Sequence, residues 1–433
     1  MERAHALLIV DTSTRAWMSG AISPRNEPSA HARLLVALTQ RAGVRSGLTD
    51  ARAVLAEPGA RAAFLRLARE LGVEGLALNA LKATAPADSL PADVVRDLDA
   101  RLEQLRRQAL LWDLERDRVL HVLSRRGIAP VLLKGSALRE RVYDDPTERS
   151  MGDLDLLVAP GEIDRCMDAL RDAGYASDPK ELLDAYRLHH FHHVLRHPRG
   201  FIVELHWGLT DPGSSVPLNE KQFAARASLS SRGNNVPVRV PSPEDLLLHT
   251  VSQNENDAFG LLRRIVDIDR IVAMSPQLDW PYVAAAAKES GLDVVLAVSL
   301  RLAQLLLRTD VPSDLSRGSG IAMLSRIHLA MLDPVAWVIS LPSERRDAAV
   351  GAIRLWCATT WSGRVRRAAE TVGVNESFAM TLDGREELRR GWRLADSRVM
   401  RATKLGIFHL VVYWRSGLAL ASPSGRRRLS FWN

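Results

Sequence analysis

Cysteine is almost absent from this chain: only Cys166 and Cys357 occur, far apart in sequence. Two such residues offer neither a disulfide framework nor a zinc-ligand set, and a reducing, cytoplasmic setting fits them. Aromatic residues are also scarce, at 5% of the chain. Long apolar runs are missing, since no window approaches about 20 uncharged apolar residues. The best candidate, Leu405 to Ala421, is interrupted by His409 and Arg415, so no integral membrane segment is expected. The start, MERAHALLIVDTSTRAW, lacks the charged n-region and the apolar h-region of a signal peptide. A concentrated basic stretch is lacking too. The net charge is +7 and the sequence pI about 9.8, but the arginines are scattered. Such a balance permits an anionic partner, nucleotide or nucleic acid, without marking a nucleic-acid groove.

What is present is apolar material in quantity. At 46% hydrophobic over 433 residues, the chain has enough to bury substantial cores, and its length suggests about two to four domains. Residues 1–30 show no sustained period and read as a loose leader. From there to about Lys82 the apolar spacing is helical. Asp93 to Arg126 then reads as one long helix, with Leu98, Leu102, Leu105, Leu110, Leu111, Leu114, Val119 and Leu120 as its stripe and Gly127 as its stop. Further strands are expected at about 201–205 and 236–240. Ser242-Pro243-Glu244-Asp245 is a strong helix start, with a capping Ser, Pro in the first turn and acids at the positive dipole end. From there the chain reads as helices near 244–253, 258–274, 280–290, 293–308, 319–340, 344–371 and 384–418. The expected organisation is therefore α+β. A leader (1–30) and a helical region (31–114) precede a small mixed-sheet core at 115–241. A helical domain (242–310) packs on that core, and a C-terminal helical region (311–433) follows.

The chemistry concentrates in residues 131–158, VLLKGSALRERVYDDPTERSMGDLDLLV. An apolar run ends in Lys134-Gly135-Ser136, a helix-like segment follows, and Asp153-Leu154-Asp155 opens a second apolar run. In a strand, Asp153 and Asp155 share one face while Leu154 and Leu156 pack on the other. Two neighbouring carboxylates repel and resist desolvation, so their usual purpose is to hold a hard cation, above all magnesium with phosphate oxygens. Alternation along Phe201 to His206 puts Glu204 and His206 on one face, and Glu204 would complete a three-acid metal site. Gly135-Ser136, between strand and helix, can offer N–H groups and a hydroxyl to a triphosphate. It is not a Walker A motif, because the preceding glycine and the GK[ST] order are missing. The run His189-His190-Phe191-His192-His193 contains an i, i+4 pair if helical, which suits zinc; a substrate or phosphate contact from His192 or His193 is the stronger reading. His206 reads equally as a neighbour of the metal ligands or as a satisfied strand histidine. Asp267 and Asp269 read as partners of Arg263, Arg264 or Arg270 at helical spacing, the alternative being that the helical domain lends Asp267 to the nucleotide or acceptor pocket.

In order and spacing, these motifs resemble the DNA polymerase β-type nucleotidyltransferase superfamily, and in detail its uncharacterised nucleotidyltransferase branch. Leu133-Lys134-Gly135 with Leu138, Tyr143, Arg149, Asp153 to Val158, Gly174-Tyr175, His192-His193 and Glu204-Leu205-His206-Trp207 carry the resemblance. PSPEDLLLH (241–249), RRIVDIDRI (263–271) and the stretch 290–306 are similar to the family's helical continuation. The resemblance spans about 30–310. It implies attack of an acceptor hydroxyl on the α-phosphate of an NTP, ATP among them, with release of pyrophosphate. Asp153 and Asp155 would hold two magnesium ions, Glu204 would ligate the catalytic one, Gly135 and Ser136 would cradle the triphosphate, and Lys134 or Arg149 would neutralise it. The third acid is Glu where the superfamily commonly has Asp. The implied acceptor is a small molecule, peptide or protein. A catalytically silent nucleotide-binding scaffold and a toxin-like transferase acting on RNA are the alternatives; the dispersed charge does not favour a nucleic-acid partner.

Overall fold

A seven-stranded mixed sheet lies at the centre of the fold, and its strands are drawn from one stretch of about 110 residues (131–240). The computed structural model describes residues 29–42, 51–84, 90–177, 190–210, 217–230, 236–257, 259–315 and Val338. Helices α1 (Ala30–Thr39), α2 (Ala51–Ala56), α3 (Pro58–Glu70) and α4 (Glu74–Thr84) precede the sheet, followed by the long helix α5 (Ala92–Ser124). Ser29 caps α1 by accepting from the Ala32 N–H, and Pro58 sits in the first turn of α3, where its missing N–H costs nothing.

Helix α5 ends as expected. Gly127, just beyond it, takes φ +69°, a left-handed conformation that glycine adopts without penalty. Its buried stripe differs from the expected one. Val94, Leu102, Leu105, Ala109, Val119, Leu120 and Leu123 are buried, whereas Leu110, Leu111 and Leu114 are exposed. The 3.6-residue period from Leu102 and Leu105 passes through Ala109, so Leu110 and Leu111 rotate onto the outer side.

The chain then enters β1 (Val131–Leu132) and turns at once into α6 (Lys134–Arg141). It returns through β2 (Leu154–Leu157), which is antiparallel to β1. Helix α7 (Ile163–Asp172) follows a 3₁₀ turn at Pro160–Glu162, and Gly174 closes it at φ +93°. Then come β3 (Ala176–Ser177), β4 (His192–Arg196), β5 (Ile202–His206), α8 (Glu220–Arg226), β6 (Ser228–Leu229) and β7 (Arg239–Val240). The spatial order is β3-β4-β5-β2-β1-β7-β6, with β2/β5 and β1/β7 parallel and the other pairs antiparallel. The strands expected at 201–205 and 236–240 correspond to β5 and β7. Strands β3, β4 and β6 and helix α8 were not read from the sequence, being short or flanked by polar and loop-forming residues. Because β4 is a strand, His192 and His193 point to opposite faces, and a helical histidine pair does not form there; His189 lies outside the described residues.

Among the described residues four helices follow: α9 (Pro243–Asn256), α10 (Leu262–Met274), α11 (Trp280–Glu289) and α12 (Asp293–Leu307). Ser242 accepts from the Asp245 N–H, as its capping role requires. Helix α10 starts later than the expected 258, since Phe259 takes φ 57° and breaks the helical path. Among the described residues no helix is long and apolar enough to cross a membrane. The leader and the helices expected near 319–340, 344–371 and 384–418 lie outside the described residues, apart from positions 29, 30 and 338.

Candidate active site

The strand pair β2/β5 sets the site. In its parallel register Asp155 lies beside Glu204 and Leu157 beside His206, so these side chains share a face, with Asp153 two residues upstream of Asp155. Strand β4 adds His192 opposite His206. The other face carries Leu154, Leu156, Val203 and Leu205, all buried in the core. The alternation apolar-in, acid-out is thus what holds the carboxylates in one row.

Lys134 enters from the β1–α6 turn. Its backbone is left-handed, φ 45°, a strained conformation for a residue with a Cβ. The turn aims its ammonium at the acids, 2.6 Å from Asp155 Oδ1 and 3.3 Å from Glu204 Oε2. His206 Nε2 lies 2.9 Å from Asp155 Oδ1 and 3.3 Å from Glu204 Oε2, and its ring stacks on His192 with centroids 5.0 Å apart. Asp155 is almost wholly buried and Glu204 partly open.

The electrostatics differ from one carboxylate to the next. Burial works against the Asp155 anion, but Lys134 and His206 outweigh it and hold the carboxyl well below its ordinary range. Glu204 is likewise lowered: burial opposes its charge, while His206 and Lys134 favour it more strongly. Asp153 goes the other way. Burial, then repulsion from Asp155 and Glu204, pushes it up to about 6, with Lys134 and Arg263 offsetting only part of this. Burial opposes the Lys134 charge, yet Asp155 and Glu204 raise its pKa. Burial and the neighbouring His206 push His192 down to about 4.

One ligand atom from each of Asp155, Glu204 and His206 lies within 4.8 Å of the others. Divalent cations bind such donors at about 2.0–2.6 Å, so this set fits a metal ion. It differs from the expected trio of acids: His206 replaces Asp153 in the tightest group, and Asp153 stands beside it. Gly135 begins the first turn of α6, which has no side-chain cap. A Cβ on Gly135 would lie 3.2 Å from Met151 Cγ and 3.5 Å from Arg149 Nη1, so a larger residue would crowd the turn.

Other expected residues sit differently. The Ser136 hydroxyl is buried and donates to the Leu133 carbonyl at 2.8 Å, so it firms the turn from within. Arg149 is buried, and its Nε donates to Asp267 of α10 at 2.8 Å. Tyr143 donates to the same Asp267 oxygen at 2.8 Å. Asp267 therefore does not pair with an arginine of its own helix, whereas Asp269 does bond Arg270, along with Thr309. His193 does not join the acids. It faces the core side of β4, edge-on to Trp207 with centroids 4.7 Å apart. His249 of α9 was not singled out from the sequence. It is buried, and burial, Lys134 and His206 together push it down to about 3. Its signal was present in the PSPEDLLLH motif, where the polar residue at the end of an apolar run faces inward.

No curated protein matches the chain. A family model described as uncharacterised nucleotidyltransferase matches residues 59–308, more than half of the chain and all of the sheet, and the chain belongs to that family.

Proposed function

We propose that the protein transfers a nucleoside monophosphate from an NTP to a hydroxyl of a small molecule, peptide or protein. The observation that carries this reading is the pairing of Asp155 with Glu204 on one face of β2 and β5, with Asp153 just before β2, beside the uncapped start of α6. A bond forms between the acceptor oxygen and the α-phosphorus, the α–β bridging P–O bond breaks, and pyrophosphate leaves with the bridging oxygen. Asp153, Asp155 and Glu204 are the residues that would hold magnesium, as one ion or two, with His206 bonded to two of them. When bound, such ions neutralise phosphate charge and lower the pKa of an attacking hydroxyl.

The chain's own groups then divide the work. Glu204, ionised and the most open of the pair it forms with Asp155, is placed to orient the acceptor hydroxyl and take its proton. Lys134 carries a charge that burial does not remove, and a shift of its flexible stem brings it to phosphate oxygens. The first N–H groups of α6 around Gly135 suit an anion, since a helix N-terminus presents unpaired donors and the positive end of the dipole. His206 fixes the orientation of both Asp155 and Glu204.

The test is incubation of the protein with each labelled NTP and magnesium, with cell lysate as acceptor pool. Labelled product and pyrophosphate are expected from the wild type, and Asp155→Asn should lower turnover by about a thousandfold or more. Undiminished turnover in that variant would overturn the site assignment. Magnesium-dependent nucleotide binding with no turnover under any acceptor would favour a silent binding protein.

A further inference from the structure

Arg263 lies in the first turn of α10. Its Nε is buried with no hydrogen-bond partner, and among the described residues no carboxylate pairs with its guanidinium. The charges around it explain why. Arg149, Arg264, Asp267 and Asp257 are the charged groups it feels most. Asp267 is bonded to Arg149 and Asp257 to Arg264. Three arginines thus share two carboxylates, each already bound by another arginine, and Arg263 is the surplus positive charge. Burial, then the like charge of Arg149, depresses its pKa to about 10, so the side chain is held against both desolvation and repulsion.

The backbone keeps it in that position. Arg263 N–H donates to the Leu71 carbonyl at 3.2 Å, and its stem lies over Gly72 in the α3–α4 turn. A Cβ on Gly72 would lie 2.8 Å from Arg263 Cδ and 3.1 Å from Nε, and Gly72 has φ +71°. A glycine is therefore required there on two counts: close approach and left-handed backbone. Asp267 lies one helical turn beyond Arg263 on α10 and bonds Arg149 at 2.8 Å. Arg149 in turn reaches the β1–α6 turn, its Nη1 being 3.5 Å from the Cβ position of Gly135. A surplus guanidinium one helical turn from Asp267, the residue that anchors Arg149 near the start of α6, suits an anion with several oxygens.

We infer that Arg263 binds the β- and γ-phosphates of the incoming nucleotide, so that α10 and the α3–α4 turn form the outer wall of the triphosphate seat. Arg149 serves as its support: Asp267 holds Arg149 in place, and Arg149 lines the approach without being the free cation. The inference rests on the nucleotidyl-transfer reading and adds a determinant from outside the sheet. It makes the chain count phosphates, favouring triphosphate over monophosphate.

Calorimetric titration of the full chain in magnesium buffer tests it, using the four NTPs, the di- and monophosphates of the base bound best, and inorganic tripolyphosphate. Arg263→Gln should weaken NTP and tripolyphosphate binding about 10- to 100-fold, the worth of a charge-assisted contact, and leave monophosphate binding unchanged. Arg263→Lys should recover part of the loss. Gly72→Ala keeps the arginine but pushes it aside, and it should reproduce the loss of preference for triphosphate. Equal NTP affinity in wild type and Arg263→Gln overturns this inference alone. A parallel fall in mono- and triphosphate binding also overturns it, since that marks a merely structural role. A wild type that binds neither NTP nor tripolyphosphate sinks the inference together with the transferase reading.

Discussion

His249 shows how a single residue ties the helices to the site. It is buried within the electrostatic reach of Lys134 and His206, and its ring meets Phe223 edge-on at 5.8 Å. The folded chain keeps it neutral, with a pKa of about 3 against an ordinary 6.5. The sign of the pH effect follows. Above about pH 6.5 the ring is neutral both folded and unfolded, and it contributes nothing to pH dependence. Below that value the unfolded chain takes up a proton that the folded chain refuses, and stability falls until the folded pKa is reached. The slope for one such group is at most about 1.4 kcal/mol per pH unit. Urea unfolding between pH 7 and pH 5 should therefore show a falling midpoint, and His249→Leu should flatten the decline. An unchanged slope in that variant would mean that other buried groups, His192 among them, carry the whole effect.

At the scale of elements, a glycine joins α4 to the 3₁₀ turn at Pro146–Glu148. A Cβ on Gly75 would lie 1.9 Å from the Thr147 carbonyl oxygen and 2.8 Å from its carbon, a backbone clash that no rotamer relieves. Asn79, one turn further along α4, donates to Asp145 at 2.9 Å and to Thr147 at 3.0 Å, so this contact is built on both sides. Gly75→Ala should lower stability by about 3 kcal/mol or more, as overpacking against rigid backbone does. Gly161→Ala, with nothing within 4 Å of the added carbon, serves as the neutral control. Chemical denaturation of both variants decides the matter; similar midpoints would mean that α4 slides away without loss. The same contact marks the limit of what the sequence made legible. Asp153, Asp155 and Glu204 could be read because strand alternation and turn motifs are local signals. The Asp267–Arg149 bond could not, because its partners stand 118 residues apart and same-helix arginines compete for the reading. His193 was misplaced for a different reason. Its face depends on the β4 register, and a histidine run looks alike as helix or strand. The exposed leucines of α5 follow from an apolar helix with more leucine than one stripe can use.

On the scale of the whole molecule, the helices before, within and after the sheet share one hydrophobic core. A single cluster runs from Ala32 of α1 through Leu132, Leu154 and Leu205 of the sheet to Leu307 of α12. Polar bonds cross the same boundaries. Gln40 donates to the Leu306 carbonyl at 2.9 Å, Arg270 to the Thr39 carbonyl at 2.9 Å, and Arg226 bonds both Glu244 and Asp245. The Arg149–Asp267 pair with Tyr143 is the most buried of these ties between sheet region and helices. Removing one partner of a buried pair leaves the other charge stranded, and Asp267→Ala should cost about 3–5 kcal/mol. The pattern of that loss distinguishes one cooperative body from several. If the core is shared, hydrogen exchange in Asp267→Ala should speed up together in α4, β2 and α10, because each opens only when the whole unit opens. Acceleration confined to α10, with β2 still protected as in the wild type, would show that the helical region opens by itself. The distinction bears on function, since the acid row lies on β2 and β5 while Arg263 lies on α10: a shared unit keeps the two sides of the proposed triphosphate seat in register without a closing motion.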